Sequence, residues 1–227
     1  MARMADGRYW PRHALRLLLA AVLAWATLLL AARAVQAGGC AVALLLAMDV
    51  SGSVSEPHFR LQRDATAAAL TSPPVLRAAE HGLHSGVMLW GTRQHLVVPF
   101  GPDPRAVASA LAAVQRPEAG GTDMAGAIAA GTRALLAEAC ERRVLDVSGD
   151  GRHNASPTAD LEAAVAAAAA AGIEINALPI VTADEPEIGA WFREHVTGPA
   201  GGFVIEATPE GFARAIRAKL ALEVAAR

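Results

Sequence analysis

At 227 residues, 53% of them apolar, the chain can bury one sizeable core but is short for two independent ones. Twenty Lys and Arg stand against 22 Asp and Glu, a formal charge of −2, so there is no basic excess of the kind a nucleic-acid partner demands.

The first 37 residues differ from the rest. Arg3, Arg8, Arg12 and Arg16 precede an apolar run from Leu17 to Ala32, and the run ends in Arg33-Ala34-Val35-Gln36-Ala37. A basic start, an apolar middle and a small-residue end form the pattern of a secretory signal peptide cleaved near Ala37, leaving residues 38–227 as a single domain. The rival is a retained anchor, but the run falls just short of the roughly 17–25 residues that span a bilayer. Cys40 after Ala37-Gly38-Gly39 resembles a lipid-attachment site only loosely, since Ala37 stands where a Leu-like residue is wanted. Residues 1–37 hold five Arg and one Asp, so the mature chain keeps 15 basic and 21 acidic residues, a charge of −6. Its one lysine is Lys219, and it has no Lys/Arg cluster or aromatic ladder. Protein, peptide or small-molecule partners remain, with no nucleic acid and, after cleavage, no membrane.

From Cys40 onward, short apolar runs alternate with Ala-rich amphipathic stretches, the pattern of a mostly parallel sheet covered by helices on both faces. The spacing predicts six strands, at 41–49, 84–91, 95–100, 142–148, 173–180 and 202–206. Helices are expected at 55–70, 103–114, 122–138, 158–171, 185–195 and 208–225. Asp103-Pro104 and Thr158 suit helix starts, and Gly172 suits the end of the helix before Ile173. Only four residues, Gly91-Thr92-Arg93-Gln94, separate the second and third strands; a parallel crossover needs more, so the third should be an antiparallel edge strand. The alanine tract at 163–171 reads as a strong helix former.

The first strand, Leu44-Leu45-Leu46-Ala47-Met48, runs straight into Asp49-Val50-Ser51-Gly52-Ser53. In open α/β sheets ligands bind beyond the carboxyl ends of the strands. Three oxygen-bearing side chains in alternation there can face one hard cation such as Mg²⁺, while Gly52 lets the loop bend. Asp-x-Ser-x-Ser alone also suits turns and helix caps. Two further segments add oxygens at the same end of the sheet: Gly120-Gly121-Thr122-Asp123 opens a helix, and Asp150-Gly151-Arg152-His153-Asn154 follows the fourth strand.

These motifs, in this order, resemble the von Willebrand factor A (vWA) domain family, and the match extends over essentially the whole mature chain. Met48-Asp49-Val50-Ser51-Gly52-Ser53-Val54, Val147-Ser148-Gly149-Asp150-Gly151 and Ala177-Leu178-Pro179-Ile180 look like a secreted bacterial branch of it that is a domain of unknown function. The resemblance implies a Rossmann-like fold and a metal-ion-dependent adhesion site (MIDAS). Its ligands would be Asp49, Ser51, Ser53, Thr122 and Asp150, and its metal Mg²⁺, with Mn²⁺ or Ca²⁺ as alternatives. It implies a module that engages a protein or peptide partner through a carboxylate. It also makes the strands ending near Asp49 and Asp150 parallel neighbours. Cys40 lies nine residues before Asp49 and Cys140 ten before Asp150, so their Cα atoms should be about 5.8 Å apart, close enough for a disulfide in an oxidising compartment.

The segment Asp49-Val50-Ser51-Gly52 recurs as Asp146-Val147-Ser148-Gly149, but the second copy lies inside a predicted strand. Asp146 competes with Asp150 as a ligand; as a buried acid it needs a partner, and loop backbone is the plain expectation. Asp123 should cap a helix. Arg152 and His153 are expected on a solvated rim or loop, and Trp90, Trp191, Phe192 and Phe203 in the core.

Catalysis is the alternative to binding. A phosphatase using Asp49 as nucleophile wants a second Asp two residues on, where this chain has Ser51. Neither Ser51 nor Ser148 sits in a Gly-x-Ser-x-Gly elbow, and no Gly-Lys-Ser/Thr phosphate loop occurs. A non-enzymatic binding module is therefore expected, with a scaffold subunit as a further alternative. Export makes one direct prediction: protein recovered from the periplasm or medium should have an intact mass beginning close to Gly38, whereas residues 1–37 still attached in a membrane fraction would reveal an anchor.

Overall fold

A computed structural model describes residues 39–118, 120–197 and 201–225; the predicted signal segment lies outside them. Five strands form one sheet, β1 (Cys40–Asp49), β2 (Leu83–Trp90), β3 (Gln94–Gly101), β4 (Cys140–Gly149) and β5 (Ile173–Pro179), in the order β3-β2-β1-β4-β5. Every neighbouring pair is parallel except β2 and β3, so the short connection after β2 does make an antiparallel edge strand.

Side chains alternate across the sheet and divide the core in two. Leu44, Leu46, Met48 and Val144 pack under α1 (Glu56–Leu70), α2 (Pro73–Ala79), α3 (Pro104–Ala112) and α7 (Phe212–Glu223). Leu45, Ala47, Leu145 and Val147 pack under α4 (Met124–Leu136), α5 (Thr158–Ala170) and α6 (Ile188–Phe192), which continues as one π turn over Arg193–Thr197. Asp103 caps α3 by accepting from Arg105 N, and Gly172 closes α5 at φ +72°, a left-handed conformation that favours glycine. Among the described residues no helix is long and apolar enough to cross a membrane. Trp90 and Phe192 are core residues as expected, whereas Trp191 and Phe203 are half-buried.

Two expectations need correction. Helix α2 occupies a stretch that reads as a loop, because Ser72-Pro73-Pro74 is a helix start: proline sets the φ of the first turn, where no N–H is required, and Val75 anchors the turn in the core. The sixth strand, 202–206, is reduced to two isolated parallel bridges, Ala177 to Val204 and Ile180 to Ala207. Ala177 N donates to Phe203 O at 2.9 Å and Ile205 N to Ala177 O at 3.0 Å, which starts a parallel ladder. The next rung would need an N–H from Pro179, which has none, so the ladder breaks there and resumes with Ala207 N to Pro179 O at 3.1 Å.

The register of β1 on β4 sets Cys40 directly opposite Cys140, without the expected one-residue offset. The two form a disulfide with a Cα separation of 4.5 Å, closing a sequence separation of 100 residues. His84, at the start of β2, stands beside the bridge with Nδ1 3.4 Å from Glu138 Oε2. For a loop of this size the chain-entropy model gives about 4.7 kcal/mol, an upper-end figure. Alkylation of unreduced, denatured protein should therefore label neither cysteine, and Cys40→Ala/Cys140→Ala should lower unfolding stability by about 2–5 kcal/mol in denaturant titration.

Candidate metal centre

The carboxyl ends of β1 and β4 lie side by side, and three loops meet over them. β1 delivers Asp49 at its last position and the chain then turns through Val50-Ser51-Gly52-Ser53. Asp49 is fully buried and its Oδ1 accepts from Ser51 N at 2.7 Å, which bends the loop back over the strand end. That turn brings Ser51 Oγ within 3.2 Å of Ser53 Oγ, and Ser53 Oγ donates to Asp150 Oδ1 at 2.5 Å. Thr122 enters from the loop before α4; its N–H donates to Asn154 Oδ1 at 2.9 Å, and its Oγ1 lies 3.5 Å from Asn154 Nδ2. A Cβ placed on Gly151 would touch Ser53 Oγ and Thr122 Oγ1 alike, each at 3.7 Å. The five side chains named from the sequence thus come together at one end of the sheet.

The loops are fixed mostly by contacts with one another. Gly52 N donates to Gly120 O at 2.8 Å, Gly121 N to Thr92 Oγ1 at 2.6 Å and Val50 N to Trp90 O at 2.8 Å. Arg116 clamps the first loop, its Nη2 reaching the carbonyls of Val50 at 3.2 Å and Ser51 at 3.0 Å. Gly149 is required by space: a Cβ there would lie 2.9 Å from Asp49 Oδ2 and 3.2 Å from Trp90 Cζ2.

Asp146 has no place in this cluster. It points under the sheet and its Oδ1 is 2.7 Å from Lys219 Nζ, so its partner is a charge from α7, not loop backbone. Asp123 caps α4, accepting from Gly126 N at 2.9 Å, and takes a second bond from Gln94 Nε2 at 3.1 Å. Arg152 does stand on the rim, paired with Glu185 at 3.1 Å. His153 does not: it is buried, with Nδ1 3.1 Å from Thr122 O and Nε2 2.9 Å from Ser156 Oγ. A carbonyl only accepts, so Nδ1 donates to Thr122 O and Nε2 is left to bond the serine hydroxyl. The sequence assigns no site role to Arg116, Thr92 or Asn154; Thr92 is singled out only as part of the short connection after β2, and Asn154 only as part of the segment after β4.

Electrostatically the cluster is unbalanced. Asp49 and Asp150 are both buried, and among the described residues neither pairs with a lysine, arginine or histidine. Asp49 Oδ2 makes no hydrogen bond of normal geometry. Burial pushes the Asp49 carboxyl up to about 7, with the nearby charge of Asp150 adding to the shift and the bonds from Ser51 opposing it. Two carboxylates and three hydroxyls with an orphaned buried oxygen make an all-oxygen donor set of the kind a hard divalent cation takes. A second dense cluster of metal-binding residue types among the described residues, Cys40, His84 and Cys140, has both sulfurs committed to the disulfide. Above the oxygens opens a cleft of about 580 Å³, lined by Ser53, Thr122 and Asp150 together with Arg152, Asp184 and Glu185.

Solved structures with the same fold were found in several organisms. The von Willebrand factor domain of the type V pilus tip protein Mfa5 from Porphyromonas gingivalis matches with a TM-score of 0.63 at 11% identity, over 82% of this chain and 95% of that one. A von Willebrand factor type A protein from Catenulispora acidiphila matches with a TM-score of 0.60 at 16% identity, over 82% of this chain and 43% of that one. Proximal thread matrix protein 1 from mussel byssus, with zinc occupying its MIDAS motif, matches with a TM-score of 0.59 at 13% identity, over 82% and 48%. The chain spans less than half the length of these last two. None of the curated proteins matches it in sequence. Residues 39–227 match the family described as "Protein of unknown function (DUF1194)", and the chain accordingly belongs to that family and has the fold of a von Willebrand factor A domain.

Proposed function

We propose that this is an exported, metal-dependent binding module in which Asp49, Ser51, Ser53, Thr122 and Asp150 hold one divalent cation and leave one of its positions to a carboxylate from a protein or peptide partner. The observation that carries the reading is the buried Asp49 carboxyl, which has one oxygen without a partner and no basic side chain to balance it. A cation would satisfy that oxygen and the charge of Asp150 together. Bound there, the metal would act as a Lewis acid toward the incoming carboxylate. The protein's own part is to hold five oxygens on three loops that brace one another, with the cleft and Arg152 open above them. Mg²⁺ is the first expectation, with Mn²⁺ or Ca²⁺ as alternatives; the zinc in the mussel protein's MIDAS motif supports a divalent site in this fold. The pilus-tip and byssal-thread neighbours support a protein partner, and the disulfide supports a periplasmic or secreted location after cleavage near Ala37.

Calorimetry with Mg²⁺ or Mn²⁺ should show one site, abolished in Asp49→Ala without change in circular dichroism, and a pull-down from the periplasm with Mg²⁺ should capture a partner with wild type only. Unchanged metal affinity in the variant would remove the assignment, and metal-dependent turnover of phosphate or ester substrates, lost in Asp49→Asn, would replace binding by hydrolysis.

The raised Asp49 carboxyl gives a pH test with a definite sign. Its folded value of about 7 lies above the ordinary value of 3.8, so the folded state binds the extra proton and metal-free stability declines as pH rises from about 4 to about 7. Metal must displace that proton, so affinity should weaken by up to about tenfold per pH unit below 7. In chelator at pH 8, Asp49→Asn should melt above wild type, because the amide keeps the acceptor for Ser51 N without the buried charge. A variant melting at or below wild type would show that the charge is not the destabilising element.

A further inference from the structure

A second acid cluster lies beneath the sheet. Lys219, on α7, reaches Asp146 of β4 with Nζ 2.7 Å from Oδ1, and Glu223, one helical turn on, with Nζ 2.5 Å from Oε1. All three side chains are at most 2% exposed. Lys219 is the only lysine in the chain. Leu46, Met48, Thr66 and Ile216 close around Asp146 and leave no room for a water molecule, and the Phe203 ring lies 5.6 Å from Nζ.

One ammonium faces two carboxyl groups, whose outer oxygens, Asp146 Oδ2 and Glu223 Oε2, make no hydrogen bond of normal geometry. Burial, reinforced by the charge of Asp146 and opposed by Lys219, pushes the Glu223 carboxyl up to about 8, so at neutral pH it holds a proton. What remains is a single amine against a single carboxyl group in a dry pocket, with Nζ 2.7 Å from Oδ1 and the carboxyl carbon one bond beyond it. Such a fixed pair is an ion pair that can also lose water.

We propose that Lys219 and Asp146 condense into an intramolecular amide, Nζ to Cγ, with Glu223 as the proton carrier. Lys219 first passes a proton to the Asp146 carboxylate across their contact, leaving a neutral amine and a neutral acid. The nitrogen lone pair forms the N–C bond at Cγ. Glu223 takes a proton from Nζ and gives its own to the departing hydroxyl, the C–O bond breaks, and the water so formed, for which the closed pocket has no room, is expelled to solvent as the side chains around Asp146 part. Glu223 ends as it began, and the balance is one ammonium and one carboxylate converted to one amide and one water, with no oxidant, reductant or activating co-reactant. The reaction exchanges a buried ion pair, costly to desolvate, for a neutral bond, and it ties the last helix to the second-innermost strand. It uses neither the metal-binding residues nor the disulfide.

The test is a peptide map of the full exported chain, reduced, alkylated, denatured and cut with trypsin. The peptides 144–152 and 218–227 should appear joined, about 18 Da below the sum of their masses, with no cleavage after Lys219. Free 144–152 together with cleavage at Lys219, after prolonged incubation of the folded protein, would overturn the proposal. Water loss confined to 218–227 would overturn it too, since that places the bond on Glu223. Glu223→Gln should lower the rate of joining at least about tenfold with an unchanged circular dichroism spectrum, as loss of a proton carrier demands; equal rates would remove Glu223 from the step. Lys219→Met, whose side chain has similar length and no amine, should give only separate peptides.

Discussion

Everything at the carboxyl end of the sheet depends on how β1 sits against β4. In a parallel pair the register is common to the whole length, so a slip of one residue would turn every side chain of one strand to the opposite face. The observed register matches Leu46 to Asp146 and Met48 to Ser148, and it keeps Leu45 and Leu145 together on the other face. Carried forward, it brings Asp49 level with Gly149, leaving Asp150 one residue beyond, where it meets Ser53 rather than Asp49 directly. Carried backward, it sets Cys40 against Cys140. The bridge and the oxygen cluster are therefore two ends of one alignment, and a single covalent bond at one end fixes the approach of two acids at the other.

Among its described residues the domain buries four carboxyl groups in two pairs, and the surroundings of each pair decide what it can do. Asp146 and Glu223 have Lys219 between them, so their charge is met from within the protein. Asp49 and Asp150 are surrounded by hydroxyls and backbone, which orient a carboxylate without neutralising it. An internal cation balances the first pair; among the described residues none balances the second, and the proposed cation site rests on that difference. This difference also explains why two copies of Asp-Val-Ser-Gly behave so differently: the first begins on the last residue of a strand and runs out beyond it, and the second is still inside one, with its Asp facing a helix.

The parts of the fold that the chain spells out locally were readable from sequence. Apolar strands and alanine-rich helices show their periodicity within a dozen residues, and the order Asp49, Ser51, Ser53, Thr122, Asp150 sets out a constellation along the chain. What escaped was non-local. Nothing near Asp146 hints at Lys219, 73 residues on, and nothing near Arg116 marks it as the clamp on Val50 and Ser51. His153 sits in a loop that reads as solvated, yet Thr122 O and Ser156 supply partners for both of its nitrogens and allow it to be buried. The missing sixth strand had a local cause in plain view, since Pro179 belongs to the strand it would have paired with. Its composition favours a strand, and only the hydrogen-bond pattern reveals the missing donor.

The disulfide has a mechanical side as well. On the proposed reading, a partner held between the loops of Asp49 and Asp150 pulls on the carboxyl ends of β1 and β4 together, while the Cys40–Cys140 bond joins their opposite ends. Tension then runs down two parallel strands that are coupled at both extremities, and the ladder between them is not sheared, because neither strand is drawn past the other. Load has to be shed sideways, into the contacts of this central pair with β2 and β5. A force strong enough to open the domain would peel the outer layers before it separated the two strands that carry the site.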